Sequence, residues 1–246
     1  MKISSIINYC TNDQRFINKC INSVRPVSYQ IIVTYTSCFY DGSAENYDLI
    51  RSTIIENPDV IFVEIPYEPN KYNEFEWCSY SRIIGMSHVS TDSQYVMFMD
   101  SDEIIDDKLF TEFINNREFD YGSDFQFACY WYFREPIFQA TVYESTPLLM
   151  LGNNLQIDNV MYADRTSLFQ LSSNIKHTNV MCKNTPMIHH YSWVRNKEEM
   201  LKKVSTWGHK HDRDWKSLVE KEFDHEFSGV DFVHGYEYKI LESSFI

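Results

Sequence analysis

A chain of 246 residues with 22 Lys and Arg against 35 Asp and Glu carries a formal net charge of −13 at pH 7, so a nucleic-acid backbone would be repelled rather than steered in. The length suits one large α/β domain, and no run approaches the roughly 20 apolar residues that a membrane span needs. Six cysteines (10, 20, 38, 78, 129 and 182) form no CxxC pair and mostly sit in apolar patterns; reduced thiols and a cytoplasmic location are expected.

In chain order, Ile3 to Tyr9 predicts a first strand, and Thr11 or Asn12 would cap a helix whose Phe16, Cys20 and Val24 recur every four positions before Pro26. Gln30 to Tyr40 reads as a second strand. Asp41-Gly42-Ser43 then reads as a turn and N-cap for a helix turning Tyr47, Ile50 and Ile54 inward, with Pro58 beyond it. Val60 to Ile65 makes a third strand and Glu74 to Ser87 a helix bearing Trp77 and Ile84. Tyr95 to Met99 makes a fourth strand, apolar enough to be buried on both faces. Three alternations of strand and helix in a hundred residues predict a mostly parallel sheet with helices on both faces.

The fourth strand ends in Asp100-Ser101-Asp102-Glu103. In extended backbone, residues two apart share a side, so Asp100 and Asp102 can converge on Mg²⁺ or Mn²⁺ shared with substrate phosphates. Ligands gather beyond the carboxyl ends of such strands, and an acidic protein that holds a nucleotide diphosphate needs a cation between its carboxylates and the phosphates. The competing role for acidic residues here is a helix cap, which Asp106 and Asp107 would supply for a helix running to Asn116.

The second half has a mixed texture. Phe125, Phe127, Cys129, Trp131 and Phe133 alternate along one strand face, and residues 136–160 read as loops from Pro136, Pro147 and Gly152. Tyr162 to Leu171 and Met187 to Tyr191 are expected strands. Asn196 and Glu199 form a capping box for a helix with Met200, Val204 and Trp207 on one face, Glu198–Lys202 and Glu199–Lys203 as four-apart pairs, and Gly208 as its close. His190 can complete a metal shell if its strand returns beside the carboxylates, and is otherwise a hydrogen-bonded core residue; His189 faces the opposite way. Trp131, Tyr132 and Trp193 suit either sugar stacking or the core. His177, His209, His211 and Asp212 form no recognised zinc spacing and read as solvated loop. Arg195 and Lys210 could touch a diphosphate or be surface charge. For a catalytic base, Glu144, Asp158 and Asp164 are available, and Asp158 is chosen.

Together these segments resemble GT-A fold glycosyltransferases, especially family 2-like members. Gln30-Ile-Ile-Val-Thr-Tyr-Thr-Ser-Cys-Phe-Tyr-Asp-Gly-Ser43 is similar to the family's second strand and Asp-Gly-Ser, with Tyr40-Asp41 where a double Asp is usual. Ser81-Arg82-Ile-Ile-Gly85 is similar to its Arg-Asn-x-Gly helix start without the Asn. Met99-Asp-Ser-Asp-Glu103 is similar to its metal motif, which in some relatives reads Gln-Ala-Asp-Glu. His190-Tyr-Ser-Trp-Val-Arg195, followed by Met200 and Lys203, resembles a late His-Tyr-x-Trp-Val-Arg stretch. The resemblance implies one GT-A domain, Rossmann-like, with a nucleotide-sugar half (1–105) and a mixed α+β acceptor half (106–246). It implies a UDP- or GDP-sugar donor near Thr11, Asp41, Arg82, Asp100 and Arg195, and Mn²⁺ or Mg²⁺ on Asp100, Asp102 and His190. It also implies transfer to a hydroxyl of a glycan or other acceptor, with Asp102 and Asp158 in catalytic roles. A sugar-1-phosphate nucleotidyltransferase and a non-catalytic carbohydrate-binding protein are the alternatives; the first should show a Gly-rich loop after the first strand, where Tyr9-Cys-Thr-Asn-Asp13 has none.

Overall fold

The first hundred residues fold as their alternating pattern predicts: β1 (Ile3–Asn8), α1 (Gln14–Val24), β2 (Gln30–Thr36), α2 (Tyr47–Glu56), β3 (Ile61–Ile65), α3 (Glu74–Met86) and β4 (Tyr95–Asp100). The computed structural model describes residues 1–246 apart from 69–70, 117–118, 162–164, 166–167 and 169–174. Strands β4, β1, β2 and β3 lie side by side and parallel. Successive strand residues point to opposite faces, so Ile3, Ile7, Val33 and Met97 pack with Ile17, Ile21 and Ile50 of α1 and α2. Ile6, Ile32, Val96 and Phe98 pack on the other face with Ile83 and Met86 of α3.

Several boundaries differ from expectation for local reasons. Neither Thr11 nor Asn12 caps α1; residues Thr11–Asp13 form a 3-10 turn, and the Thr11 hydroxyl and N–H are drawn to Glu45. Strand β2 stops at Thr36 rather than Tyr40. The N-cap of α2 is Asn46, which accepts from the Leu49 N–H at 3.2 Å, whereas Asp41 accepts from Ser43 within its own turn, where Gly42 takes φ +87°. Tyr47 is exposed instead of inward, while Ile50 is buried.

Beyond Asp100 the chain leaves the first sheet. A turn through Ser101 and Asp102 leads into a short strand, β5 (Glu103–Ile105), then α4 (Asp107–Asn115), capped by Asp106 through Leu109 N–H at 3.0 Å. The aromatic alternation of 125–133 is two strands, β6 (Asp124–Phe127) and β7 (Cys129–Phe133), broken at Ala128. The expected loop region holds β8 (Glu135–Glu144), β9 (Leu148–Leu151) and a short helix α5 (Ile157–Met161). Of the expected strand from Tyr162 to Leu171, Arg165 and Leu168 are helical, and the rest lie outside the described residues. The chain closes with β10 (Ile175–Val180), β11 (Ile188–Trp193), α6 (Lys197–Thr206), α7 (Trp215–Glu222) and β12 (Tyr238–Ile240).

The first sheet runs β10-β6-β9-β4-β1-β2-β3, with β9 antiparallel to β4 and β6; the second runs β12-β8-β7-β11-β5. This is the expected α/β class, a mostly parallel central sheet with helices and a mixed C-terminal half. The capping box at Asn196 and Glu199 is present, Met200 and Val204 are buried, and both pack with Trp193, Trp215 and Trp131 beneath the second sheet. Gly208 is not the left-handed stop that was expected; α6 ends at Trp207 in extended backbone, φ −89° and ψ 169°. The six cysteines are free thiols, and among the described residues no helix is long and apolar enough to cross a membrane.

Candidate functional site

Asp100 ends the first sheet and Glu103 begins the second, so the acidic triplet stands at the junction between them. Strand β11 returns antiparallel to β5 with His190 opposite Glu103, and the Tyr191 N–H donates to the Asp102 carbonyl at 2.9 Å. His190 is therefore beside the carboxylates. The Ser101–Asp102 turn, not strand alternation, arranges the pair: Asp102 is buried beneath, and Asp100 is 37 % exposed.

Each acid meets cations. Glu103, fully buried, accepts two bonds from Arg165, both 2.7 Å, one from Thr146 at 3.1 Å and one from the Asp100 N–H at 2.9 Å. The same guanidinium lies 3.2 Å from Asp100 Oδ2. Asp102 has His190 Nε2 at 3.2 Å, Lys203 Nζ at 3.8 Å and Arg195 at 4.0 Å. Burial alone would raise the Asp102 acid, but the positive charge of His190, then of Lys203 and Arg195, outweighs it and holds the carboxyl well below its usual range. Burial pulls the Lys203 ammonium down, and Arg195 adds to that. Arg195 is largely committed, donating to Ser192 O at 2.9 Å, to Asn12 O and to Asp13, which ties the exit of β11 to the exit of β1.

A cavity of about 350 Å³ opens over these groups. Asp100, Asn8, Thr36 and Ile65, the last residues of β4, β1, β2 and β3, all line it, so it runs across the carboxyl ends of four adjacent parallel strands, about 14 Å at a strand spacing of about 4.8 Å. From α3 come Trp77, Ser81 and Arg82, and from α6 and its end Lys203, Thr206 and Trp207. One end is charged. The other is apolar, with Tyr35, Phe39, Ile65 and Trp77.

Five expected site residues line this cavity together: Arg82, Asp100, Asp102, His190 and Arg195. Three do not. Thr11 is buried behind it with both donors on Glu45, Asp41 is exposed and engaged with Ser43, and Asp158 is exposed on α5. Glu144 accepts from Tyr236 away from the cavity, and Asp164 lies outside the described residues. Trp131, Tyr132 and Trp193 are core; the indoles at the cavity are Trp77 and Trp207. His189 points the other way, bonding Tyr132 at 2.7 Å through Nδ1, and burial lowers it to about 3. Lys210 does not line the cavity, its ammonium standing 5.9 Å from the Tyr40 ring centre.

Sequence reasoning missed Lys203 as a cavity residue, because its four-residue offset from Glu199 suggested a surface pair. Instead Glu199 pairs with Arg15, and Lys203 turns inward to donate to Ser192 Oγ at 2.7 Å. The signal was present: Lys203 shares the face of Met200, Val204 and Trp207. Arg165 and Glu45 carried no sequence signal.

Among the described residues no group of three or more His, Cys, Asp and Glu side chains is gathered in metal-binding form. Yet Asp102 Oδ1 and His190 Nδ1 are buried without a hydrogen-bond partner among those residues, and the 3.2 Å approach of His190 Nε2 to Asp102 Oδ1 lacks hydrogen-bond alignment. Asp102 Oδ1 and His190 Nε2, facing each other in this way, are an oxygen and an imidazole nitrogen that suit a cation, while His190 Nδ1 lies on the far side of the ring, 3.8 Å from Glu103 Oε1.

No protein-family model matches the chain, and no curated protein matches it in sequence. Among solved structures it is similar to 4-diphosphocytidyl-2C-methyl-D-erythritol synthase from Anaerococcus prevotii, at 13% identity over 83% of this chain and 95% of that one, with a TM-score of 0.50. It is also similar to residues 1–349 of TarS from S. aureus, at 11% identity over 99% and 98% with a TM-score of 0.49. Mannosyltransferase PcManGT from Pyrobaculum calidifontis, in complex with GDP-Man and Mn²⁺, is similar at 9% identity over 83% and 61% with a TM-score of 0.49. At such identities the likeness is one of fold: this chain has the Rossmann-like α/β architecture of the synthase.

Proposed function

We propose that this chain is a metal-dependent glycosyltransferase that moves a sugar from a UDP- or GDP-linked donor to a hydroxyl of a glycan or other acceptor. The observation that carries the reading is the cavity itself, which crosses the exits of four parallel strands and has Asp100, Asp102 and His190 at its charged end and aromatic side chains at its other. A nucleoside suits the apolar end and a diphosphate the charged one.

Asp100, Asp102 and His190 would hold the cation, and hard oxygens with one imidazole suit Mn²⁺ or Mg²⁺. When bound, the ion neutralises charge that develops on the departing nucleoside diphosphate. Lys203 and Arg82 supply fixed positive charge to the same end, preorganised by burial and by the Ser192 bond to Lys203. The Glu103–Arg165 pair positions Asp100 from below through its backbone N–H and its carboxylate.

A nucleotidyltransferase would need backbone N–H groups free to cradle a triphosphate after β1; here the turn has no glycine, and the Thr11 N–H is taken by Glu45 at 3.1 Å. A thermal-shift panel of ADP, CDP, GDP and UDP with Mn²⁺, followed by release of the nucleoside diphosphate from its sugar conjugate upon adding an acceptor, tests the proposal. Absence of any nucleotide-dependent stabilisation defeats it, and sugar-1-phosphate with a nucleoside triphosphate yielding pyrophosphate would replace it with nucleotidyl transfer.

A further inference from the structure

Glu45 lies on the loop between β2 and α2, its backbone N–H donating to Ser37 O at 3.0 Å. It is 7 % exposed and lines the cavity. One carboxylate oxygen, Oε2, accepts from the Thr11 N–H and the Thr11 hydroxyl, which joins the exit of β1 to the loop after β2. The other oxygen, Oε1, is buried and has no hydrogen-bond partner among the described residues. A buried carboxylate oxygen left unpaired costs the desolvation of the group with no return, so such an atom on a residue that lines a cavity points to a partner that arrives with the ligand.

The chemistry of that partner is constrained. An ionised carboxylate only accepts, so it takes an N–H or O–H donor and repels a phosphate. The place is constrained as well: Glu45 bridges the exits of β1 and β2, while Asp100 and Asp102 follow β4 on the charged side. Tyr35, Phe39 and Ile65 make up the apolar side. A nucleoside, lying toward the aromatic end, presents donors of both kinds, ribose hydroxyls and ring N–H groups.

We propose that Glu45 Oε1 receives one hydrogen bond from the nucleoside of the donor, a ribose hydroxyl or a base N–H, and that this bond holds the nucleoside toward the apolar end of the cavity. The proposal rests on the reading of the cavity as a nucleotide-sugar site. Burial also raises the Glu45 acid above its ordinary range, with Thr11 and Lys202 acting against that rise, as suits a group whose environment is incomplete without a donor.

The test is calorimetric binding of ADP, CDP, GDP and UDP in Mn²⁺ to the full chain and to Glu45→Gln, with inorganic pyrophosphate as the control. Thr11 supplies two donors, so the Gln carbonyl turns to it and the amide NH₂ replaces Oε1, setting a donor against the ligand's donor. The tightest nucleotide should bind the variant about 10 to 100-fold more weakly, the loss of one charge-assisted bond, with pyrophosphate unaffected. Equal affinity, or equal loss for nucleotide and pyrophosphate, overturns the assignment while leaving the nucleotide-sugar reading in place. Failure of the unaltered chain to bind any of the four nucleotides overturns that reading too. Independently of any variant, the 2′-deoxy, 3′-deoxy and base-N-methylated forms of the best nucleotide are measured on the unaltered chain. The analogue that binds about 10 to 100-fold more weakly identifies the donor, and parity across all three overturns the proposal.

Discussion

His190 and Asp102 face each other across 3.2 Å, Nε2 to Oδ1, at the point where β11 comes back against β5, and neither the acid oxygen nor the far ring nitrogen has a hydrogen-bond partner among the described residues. Substitution separates a metal role from a core role. As a metal ligand, His190→Ala should weaken Mn²⁺-dependent nucleotide binding by roughly 10 to 100-fold with little change in melting temperature. A destabilised variant with normal nucleotide affinity would make His190 a core residue. Asp102→Asn, nearly isosteric but without the anionic oxygen, should lose sugar transfer and keep its fold; wild-type turnover would remove the metal assignment.

Removing divalent metal should have a matching effect. A nucleoside diphosphate that binds only the metal-loaded cavity raises the melting temperature in Mn²⁺ or Mg²⁺, by about 2.7 kcal/mol of stability at a hundred times its Kd, and leaves it unchanged in excess EDTA. Equal stabilisation in EDTA would assign the diphosphate to Lys203 and Arg82 alone.

Arg165 and Glu103 are a buried pair with two 2.7 Å bonds. Arg165→Met removes the cation and both of its bonds from a carboxylate at 0 % exposure, so unfolding by denaturant should show a loss of about 3 to 5 kcal/mol. Adding Glu103→Leu should recover most of that loss, because the desolvated charge goes with it. A single variant as stable as the parent would show the pair to be dispensable.

At Gly85, α3 rides close over the sheet: an added Cβ would meet Ile6 Cγ2 at 2.6 Å and Thr34 Cγ2 at 3.3 Å. Gly85→Ala gains about 1 kcal/mol of helix propensity, but Ile6 is a buried strand residue whose Cγ2 sits near the backbone and has little room to yield. Overpacking of about 1 to 3 kcal/mol should dominate, and the variant should melt lower than the parent. A higher melting temperature would mean that the helix simply lifts away.

Glu45 gives a pH dependence whose sign follows from burial. Its folded-state acid is raised above the unfolded value of 4.5, so the folded chain holds that proton more tightly. The contribution to stability is then full below the unfolded value and is lost as pH rises through the folded one. The stability difference between Glu45→Gln and the parent should therefore shift in the variant's favour between pH 4 and pH 7, read from parallel thermal melts. A difference that does not change with pH would place the carboxyl in ordinary solvent.

The order of β1 to β4 and their helices, the Asp106 cap and the Asn196–Glu199 capping box were legible in the sequence, because each is written in residues close together: buried apolar runs, four-residue recurrences, and a polar side chain three residues from its partner N–H. The acidic triplet at the end of β4, and His190 as its companion, were legible as types and spacing. The same local logic misplaced Asp41, whose carboxylate is satisfied within its own turn, and Asp158, which α5 leaves exposed. Only the tertiary structure decided that Ala128 divides one apolar alternation between two sheets, that Lys203 turns inward to Ser192, and that Arg165 closes on Glu103 from 62 residues away. It also decided that Glu45 takes the Thr11 donors across 34 residues. These are pairings between buried charges and polar groups, and which partners meet depends on how two sheets join at Ser101–Asp102, a relation that no short stretch of chain contains.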